Sequence, residues 1–247
     1  MDSYKTIELL GIKFSNISFK EILDSIQLAI QNHTQLSICY ANVNSINQTF
    51  ENRKLKKLFS EFDIVHQDGF GVFLASKLLF GTKGFSIRQS GSDFYEILIK
   101  FGIERKLKFF IFGDTDETLG NIKTSYPALE LIGLQNGYFF ENDKILIETN
   151  KSNPDILIVG MGTPKQEEWI VTNRDKINTK VIIAVGDGIK IFAGNKRRGP
   201  KWIQRIGLEW LVRLFFEPKR LWKRYIIGIP LFIFRVIKFK LLNSKNG

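Results

Sequence analysis

The stretch Asp155–Trp169, DILIVGMGTPKQEEW, decides the fold. An apolar run of strand length stops at Gly160-Met161-Gly162, and charged, helix-favouring residues follow at once. A buried strand delivered into a helix through a Gly-x-Gly turn is the repeating unit of parallel α/β sheets. Thr163, Pro164 and Gln166 predict a capping box, with Thr163 as N-cap, Pro164 at the first helical position and Gln166 at the third. Free N–H groups and the helix dipole at such a start favour an anion. A dinucleotide fingerprint wants a third glycine where this chain has Lys165, which disfavours a nicotinamide or flavin site. Gly162, Lys165 and Gln166 are carried forward as candidate substrate-binding residues. An ordinary strand-to-helix turn explains the same letters.

The pattern repeats on both sides of this unit. SFKEILDSIQLAIQN has apolar residues at 19, 22, 23, 26 and 30, which is helical spacing. LSICYANV reads as a buried strand, residues 44–60 as helix, and FDIVHQDG as a strand ending in a turn. VFLASKLLFG and SDFYEILIKFG are helices, the second capped by Ser90 or Ser92. LKFFIFGD, LELIGL and VIIAVGDG are further strands. The expected class is α/β, a Rossmann-like, mostly parallel sheet flanked by helices. Ligands of such sheets lie beyond the carboxyl ends of the strands. Asn42, Asn44, Asp68, Asp114, Gly162 and Asp187 all fall there.

The totals narrow the function classes. The single cysteine, Cys39, excludes a disulfide framework and reads as a small buried hydrophobe. Two histidines, His33 and His66, are too few for a zinc site. MDSYKTIELLGIKF lacks the features of a secretory signal, and no apolar run reaches the roughly 18 residues a spanning helix needs. A cytoplasmic protein is expected. The net charge of +11 is uneven: Asn195–Gly247 holds 14 Lys or Arg against Glu209 and Glu217. That segment carries +12, and the preceding 194 residues carry −1.

The composition also changes after Gly194, which divides the chain into an α/β catalytic domain, 1–194, and a basic helical appendage, 195–247. Pro200 and Pro218 are expected to open helices within it. YIIGIPLFIF is only ten residues long and is flanked by Lys and Arg, so it suits the membrane surface rather than a span. A core-packing helix pair is the competing reading. Nucleic-acid binding is disfavoured, because so apolar a segment offers no basic groove or stacking face.

Each remaining motif has a chemical and a bland reading. Asp68, at a strand end in QDGFG, can serve as a general base or merely hold an Asp-Gly turn. Asn42 and Asn44 share one face if their strand continues, and could then grip sugar hydroxyls; otherwise one of them caps a helix. Asp114-Thr115-Asp116 matches the D-x-D metal pattern, but Asp114 or Thr115 is favoured as an N-cap.

Five blocks, ANVNSIN, QDGFGV, GMGTPKQE, AGNKRRGPKWIQRIGLEWLVRL and EPKRLWKRY, together resemble the WecG/TagA/CpsF family of bacterial glycosyltransferases, glycosyltransferase family 26. The resemblance implies inverting transfer of an N-acetylhexosamine-type sugar from a UDP-sugar. The acceptor it implies is a sugar on a polyprenyl diphosphate at the inner membrane face, in surface polysaccharide, capsule or teichoic acid synthesis. It implies Asp68 as catalytic base. It places Asn42, Asn44 and Gln166 in the pocket and Arg213, Arg220 and Arg224 over the donor diphosphate. No cofactor and no metal are implied, and no interface stripe specifies an oligomeric state. Many members carry aspartate where this chain has Lys190; if that aspartate helps bind the donor, either the donor specificity differs here or Asp187 substitutes for it. The alternative from a different class is a non-catalytic α/β protein that binds membranes or polyanions.

Overall fold

The computed structural model describes residues 4–195 and 198–244. Lys196 and Arg197 of the basic block lie outside the described residues. A two-stranded hairpin, β1 (Thr6–Leu9) and β2 (Ile12–Ser15), opens the chain. Six further strands follow: β3 (Leu36–Ala41), β4 (Ile64–Gln67), β5 (Lys108–Gly113), β6 (Glu130–Gln135), β7 (Ile156–Gly160) and β8 (Val181–Ala184). All six join one parallel sheet in the order β4-β3-β8-β7-β5-β6. β3, β4, β7 and β8 are buried along their whole length, as both-face coverage demands.

Successive residues of each strand serve opposite cores. Cys39, Ala41, Leu157, Val159, Ile182 and Ala184 join one cluster with the hairpin and with Ile46, Phe59, Trp169 and Ile170. Ile38, Tyr40, Ile156, Ile158, Val181 and Ile183 join the other with Ile22, Phe94, Leu98, Ile189 and Phe192. The helix after β3, Val43–Glu51, therefore covers one face, and the short helix after β8, Ile189–Phe192, covers the other. Because β3 and β8 are neighbours, their chains part at the carboxyl edge and leave a crevice.

The expected strands and main helices are present, with two local differences. The predicted helix over 44–60 is two, Val43–Glu51 and Arg53–Ser60, because Asn52 leaves helical geometry and its Oδ1 accepts the Leu55 N–H at 3.1 Å. The hairpin was not anticipated. Its Leu10-Gly11 turn takes positive φ at both residues (51° and 86°) without the Asn-Gly signal such turns usually carry.

The C-terminal helices lie against the sheet domain. Pro218 is the first residue of helix Pro218–Trp222, and Pro200 immediately precedes helix Lys201–Arg205. Helix Gly228–Ser244 packs on helices Val43–Glu51 and Phe70–Phe80 and seats Phe232 and Val236 in the first core cluster. Asn47 fastens it: its Nδ2 donates to the Gly228 carbonyl at 2.7 Å, and Arg235 donates to its Oδ1 at 2.8 Å and its carbonyl at 3.0 Å. Among the described residues no helix is long and apolar enough to cross a membrane.

Asn47→Ala removes a buried donor and acceptor; the Gly228 carbonyl loses its Asn47 donor, and Arg235 keeps only the backbone carbonyl of position 47 and the distant Glu51. It should lower unfolding stability by about 1–3 kcal/mol, read from the urea midpoint, with hydrogen exchange accelerating in helix Gly228–Ser244 first.

Candidate active site

Asp68 leaves β4 and is stitched into the crevice by its backbone neighbours. Its N–H donates to the Ala41 carbonyl at 3.0 Å, tying the ends of β3 and β4 together. Gln67 Nε2 donates to the Ile87 carbonyl at 2.7 Å, and the Gly69 N–H donates to the Gln89 carbonyl at 3.3 Å. The carboxylate is held at both ends. Oδ1 accepts the Gly91 N–H at 2.9 Å, at the start of helix Gly91–Arg105, and Oδ2 accepts from Asn42 Nδ2 at 3.3 Å. An ionised carboxylate has about four acceptor positions, so these bonds leave room for an incoming hydroxyl.

Asn42 does not continue the strand as one reading required. β3 ends at Ala41, and Asn42 caps helix Val43–Glu51, its Oδ1 accepting the N–H groups of Asn44 (3.0 Å) and Ser45 (3.2 Å). Capping freezes the amide so that its Nδ2 is aimed at Asp68. Asn44, in the first helical turn, lines the same cavity.

The Gly-x-Gly turn plays a different part from the one its letters suggest. The predicted Thr163–Gln166 capping box is absent. Helix Lys165–Asn173 begins after Pro164, and the Gln166 N–H is already satisfied by the Gly162 carbonyl at 3.1 Å. Thr163 Oγ1 donates instead to Glu167 Oε1 at 3.0 Å. Gln166 is buried; its Nε2 donates to Glu167 at 2.8 Å, and its Oε1 accepts the Gly186 N–H at 2.8 Å. Gly162 lies beside Gly186, whose added Cβ would come within 3.9 Å of the Gly162 Cα. The turn therefore braces the loop after β8. Lys165 is exposed, and neither it, Gly162 nor Gln166 lines the cavity.

That loop, Gly186–Gly188, presents Asp187 to three cations among the described residues. Its carboxylate pairs with Arg213, meets Arg220 at 3.5 Å and meets Lys190 at 3.4 Å. Burial works against the Arg213 charge, but Tyr225, Asp187, Glu209 and Asp68 outweigh it and hold the guanidinium above its ordinary value. Arg224 is shifted the other way, downward, by burial and by the nearby Arg213. Among the described residues no carboxylate lies within ion-pair distance of Arg224. It is a cation on the cavity wall, its guanidinium 5.6 Å from the centre of the Tyr225 ring.

Asn42, Asn44, Asp68, Arg213 and Arg224 line a cavity of about 600 Å³, and Asp187 and Arg220 stand just behind Arg213. Arg88, Ser90, Ser92, Glu209, Trp210 and Tyr225 also line it and were not singled out from the sequence. Arg88 reaches across to donate to the carbonyls of Gln204 and Arg205, both at 2.7 Å, tying the C-terminal helices to the segment between Asp68 and Gly91. Arg198 is a second tie, pairing with Asp93, with Glu96 at 2.8 Å and with Glu209 at 3.6 Å. The D-x-D motif lies apart from this cavity and behaves as a cap. Thr115 accepts the Thr118 N–H at 3.3 Å, and Asp114 Oδ1 accepts the Thr115 N–H at 2.8 Å. Cys39 is fully buried, and burial pushes its thiol well above the ordinary range.

Residues 7–246 match the Glycosyl transferase WecG/TagA/CpsF family. The chain belongs to this family. Two curated relatives are each named N-acetylglucosaminyldiphosphoundecaprenol N-acetyl-beta-D-mannosaminyltransferase. The protein of Staphylococcus aureus strain MRSA252 is 28% identical over 242 residues, which span 95% of this chain and 93% of the relative. That of strain NCTC 8325 is 28% identical over 241 residues, with the same shares covered. As a WecG/TagA/CpsF member the chain is a glycosyltransferase. Four of the five blocks that carried the resemblance contribute residues to the cavity wall, and the fifth, GMGTPKQE, braces the loop behind it.

Glu167 offers a test of the bracing turn. It is completely buried, its Oε2 has no hydrogen-bond partner among the described residues, and burial raises its pKa above the ordinary value. A raised folded-state pKa gives stability that is present below the unfolded value, about 4.3, and lost as pH climbs through the folded one. Glu167→Gln keeps the Oε1 acceptor and removes the titration. Its stability relative to wild type should therefore rise with pH above about 4.3, measured as urea midpoints at successive pH values.

Proposed function

We propose that this glycosyltransferase moves an N-acetylhexosamine-type sugar from a UDP-sugar to a sugar on a polyprenyl diphosphate, with inversion, in bacterial surface polysaccharide or teichoic acid synthesis. The observation that carries the reading is the Asp68 carboxylate, fixed by Asn42 and the Gly91 N–H, in one cavity with Arg213 and Arg224. A proton acceptor and cations for a leaving diphosphate are the two requirements of glycosyl transfer. The printed activity of the relatives, on a lipid-linked N-acetylglucosamine, supports the choice of acceptor class.

In this mechanism the acceptor hydroxyl donates a hydrogen bond to Asp68. Its oxygen attacks the anomeric carbon as the bond to the UDP diphosphate breaks on the opposite side. The bonding pair leaves on the phosphate oxygen, and the hydroxyl proton passes to Asp68. One displacement inverts the centre. Charge growing on the diphosphate is met by Arg213, Arg220 and Arg224, whose planar donors suit phosphate oxygens. Asp187 holds Arg213 and Arg220 until phosphate arrives, and Lys190 adds a third cation beside it. These cations fill the role a divalent metal fills elsewhere, so the reading requires no cofactor.

Residues 1–194 supply the base and the crevice; residues 195–247 supply the arginines and the membrane contact. Trp222, Ile226, Ile227, Phe234 and Leu241 are exposed, with Lys219, Lys223, Lys238 and Lys240 interspersed. An anionic surface attracts each such base by about 1 kcal/mol, and the apolar side chains can enter the interface. The enzyme then works at the inner face of the cell membrane.

Asp68→Asn keeps an acceptor for the Gly91 N–H, turns the oxygen that faces Asn42 Nδ2 into a donor, and cannot take the proton. Turnover of UDP-N-acetylhexosamine donors on a lipid-linked N-acetylglucosamine acceptor should fall by about 10²–10⁴ in kcat, with donor binding retained. Turnover by Asp68→Asn at the wild-type rate would refute the base assignment.

A further inference from the structure

The cavity is larger and greasier than a sugar-nucleotide requires. Its lining combines polar residues, among them Asp68, Asn44, Ser90 and Arg224, with a larger set of aliphatic and aromatic ones. Two helices that pack on each other supply the aliphatic part. Helix Phe70–Phe80 begins directly after Asp68-Gly69 and turns Leu74 and Leu78 to the cavity, one helical turn apart. The C-terminal helix begins its contribution at Arg224 and Tyr225 and continues with Ile229, Ile233 and Ile237 at the same helical spacing. From Arg224 to Ile237 the helical rise covers about 20 Å. Both helices therefore bring aliphatic side chains into the cavity that holds Asp68. Leu78, Ile233 and Ile237 are each about half exposed, at 48%, 50% and 47%. Ile226, Ile227, Phe234 and Leu241, from the same C-terminal segment, are exposed as well.

We propose that this aliphatic half of the cavity, between Leu74 and Leu78 on one side and Ile229, Ile233 and Ile237 on the other, seats the first isoprene units of the acceptor. The inference rests on the function proposed above and adds to it a site for the lipid chain within the protein. Three features select this occupant. The lining asks for a molecule with a polar head and a long apolar chain, the description of a polyprenyl diphosphate sugar. The same cavity carries Asp68, the carboxylate that would accept the proton of the acceptor's hydroxyl, so the acceptor's sugar must enter beside these aliphatic side chains. Leu78, Ile233 and Ile237 line the cavity and are half exposed, so the chain can leave along them toward the bilayer. A nucleotide-sugar donor has no group to cover five aliphatic side chains. Leaving them bare is unfavourable in proportion to their exposed area.

The test uses the full chain, one UDP-N-acetylhexosamine donor and two acceptors. Both acceptors carry N-acetylglucosamine diphosphate, one on an undecaprenyl chain and one on a short water-soluble alkyl chain. Leu78→Asn and Ile233→Asn alter half-exposed positions on the channel, whereas Phe234→Asn alters an exposed neighbour that does not line it. The channel variants should raise KM for the undecaprenyl acceptor about 10-fold, equivalent to about 1.4 kcal/mol, and leave KM for the short acceptor within twofold. Phe234→Asn reports any loss of membrane or micelle partitioning, and should not reproduce that split. Equal effects of all three variants, or equal effects on both acceptors, would overturn the lipid site while leaving the proposed function standing. A wild-type enzyme that turns over neither acceptor would remove the proposed function and this site with it. A second readout is independent of turnover. A polyprenyl diphosphate with a photoreactive group on its first isoprene units should label peptides from 70–80 and 228–244; labelling confined to other segments would overturn the assignment.

Discussion

The meeting of Asp187 with Arg213 joins the two parts of this enzyme. Arg213 is a guanidinium set deep in the wall of a cavity, where an unpaired charge would be expensive. The carboxylate that makes its burial tolerable comes from the loop after the sheet's β8 strand, braced from behind by Gln166. Without that loop the C-terminal helices would have no reason to place a cation there. The sheet's parting between β3 and β8 thus determines where the arginines can be used. Removing one member of such a buried pair is more damaging than replacing both, because the survivor is left desolvated and alone.

The sheet was legible in the sequence because its strands are short apolar runs ending in Gly or Asp, separated by helices with clear spacing. The carboxyl-end residues were legible for the same reason. What could not be read were partners chosen by tertiary structure. The Gly91 N–H that holds Asp68 belongs to a later helix, and nothing near QDGFG announces it. The Thr163–Gln166 box failed because a local carbonyl, that of Gly162, had already taken the N–H that the box needed. The Leu10-Gly11 hairpin escaped because a leucine in a positive-φ turn carries no compositional signal. Leu74 and Leu78 read as ordinary core letters until the C-terminal helix was placed across from them.

The basic C-terminal segment has two sides with different physics. One side is committed to the protein: Phe232 and Val236 pack in the core, and Arg235 is bound to Asn47. The other presents aromatics, aliphatics and lysines outward. Core packing and surface adhesion, which compete as readings of the sequence, are compatible once the helix is seen to have two faces. The formal charge concentrated in this segment is therefore partly internal, neutralised by Asp187, Glu209 and Glu217, and partly external.

Arg198 fixes a dimension. One of its ion pairs is with Asp93, in the first turn of the helix whose leading N–H grips Asp68, and another is with Glu209, in the first turn of the helix that carries Arg213. A single guanidinium thus cross-braces the seat of the carboxylate to the seat of the cation. The gap between them behaves as a gauge of set length, and a molecule must match that length to touch both ends. A displacement of the C-terminal helices would be transmitted through the same strut to the orientation of Asp68.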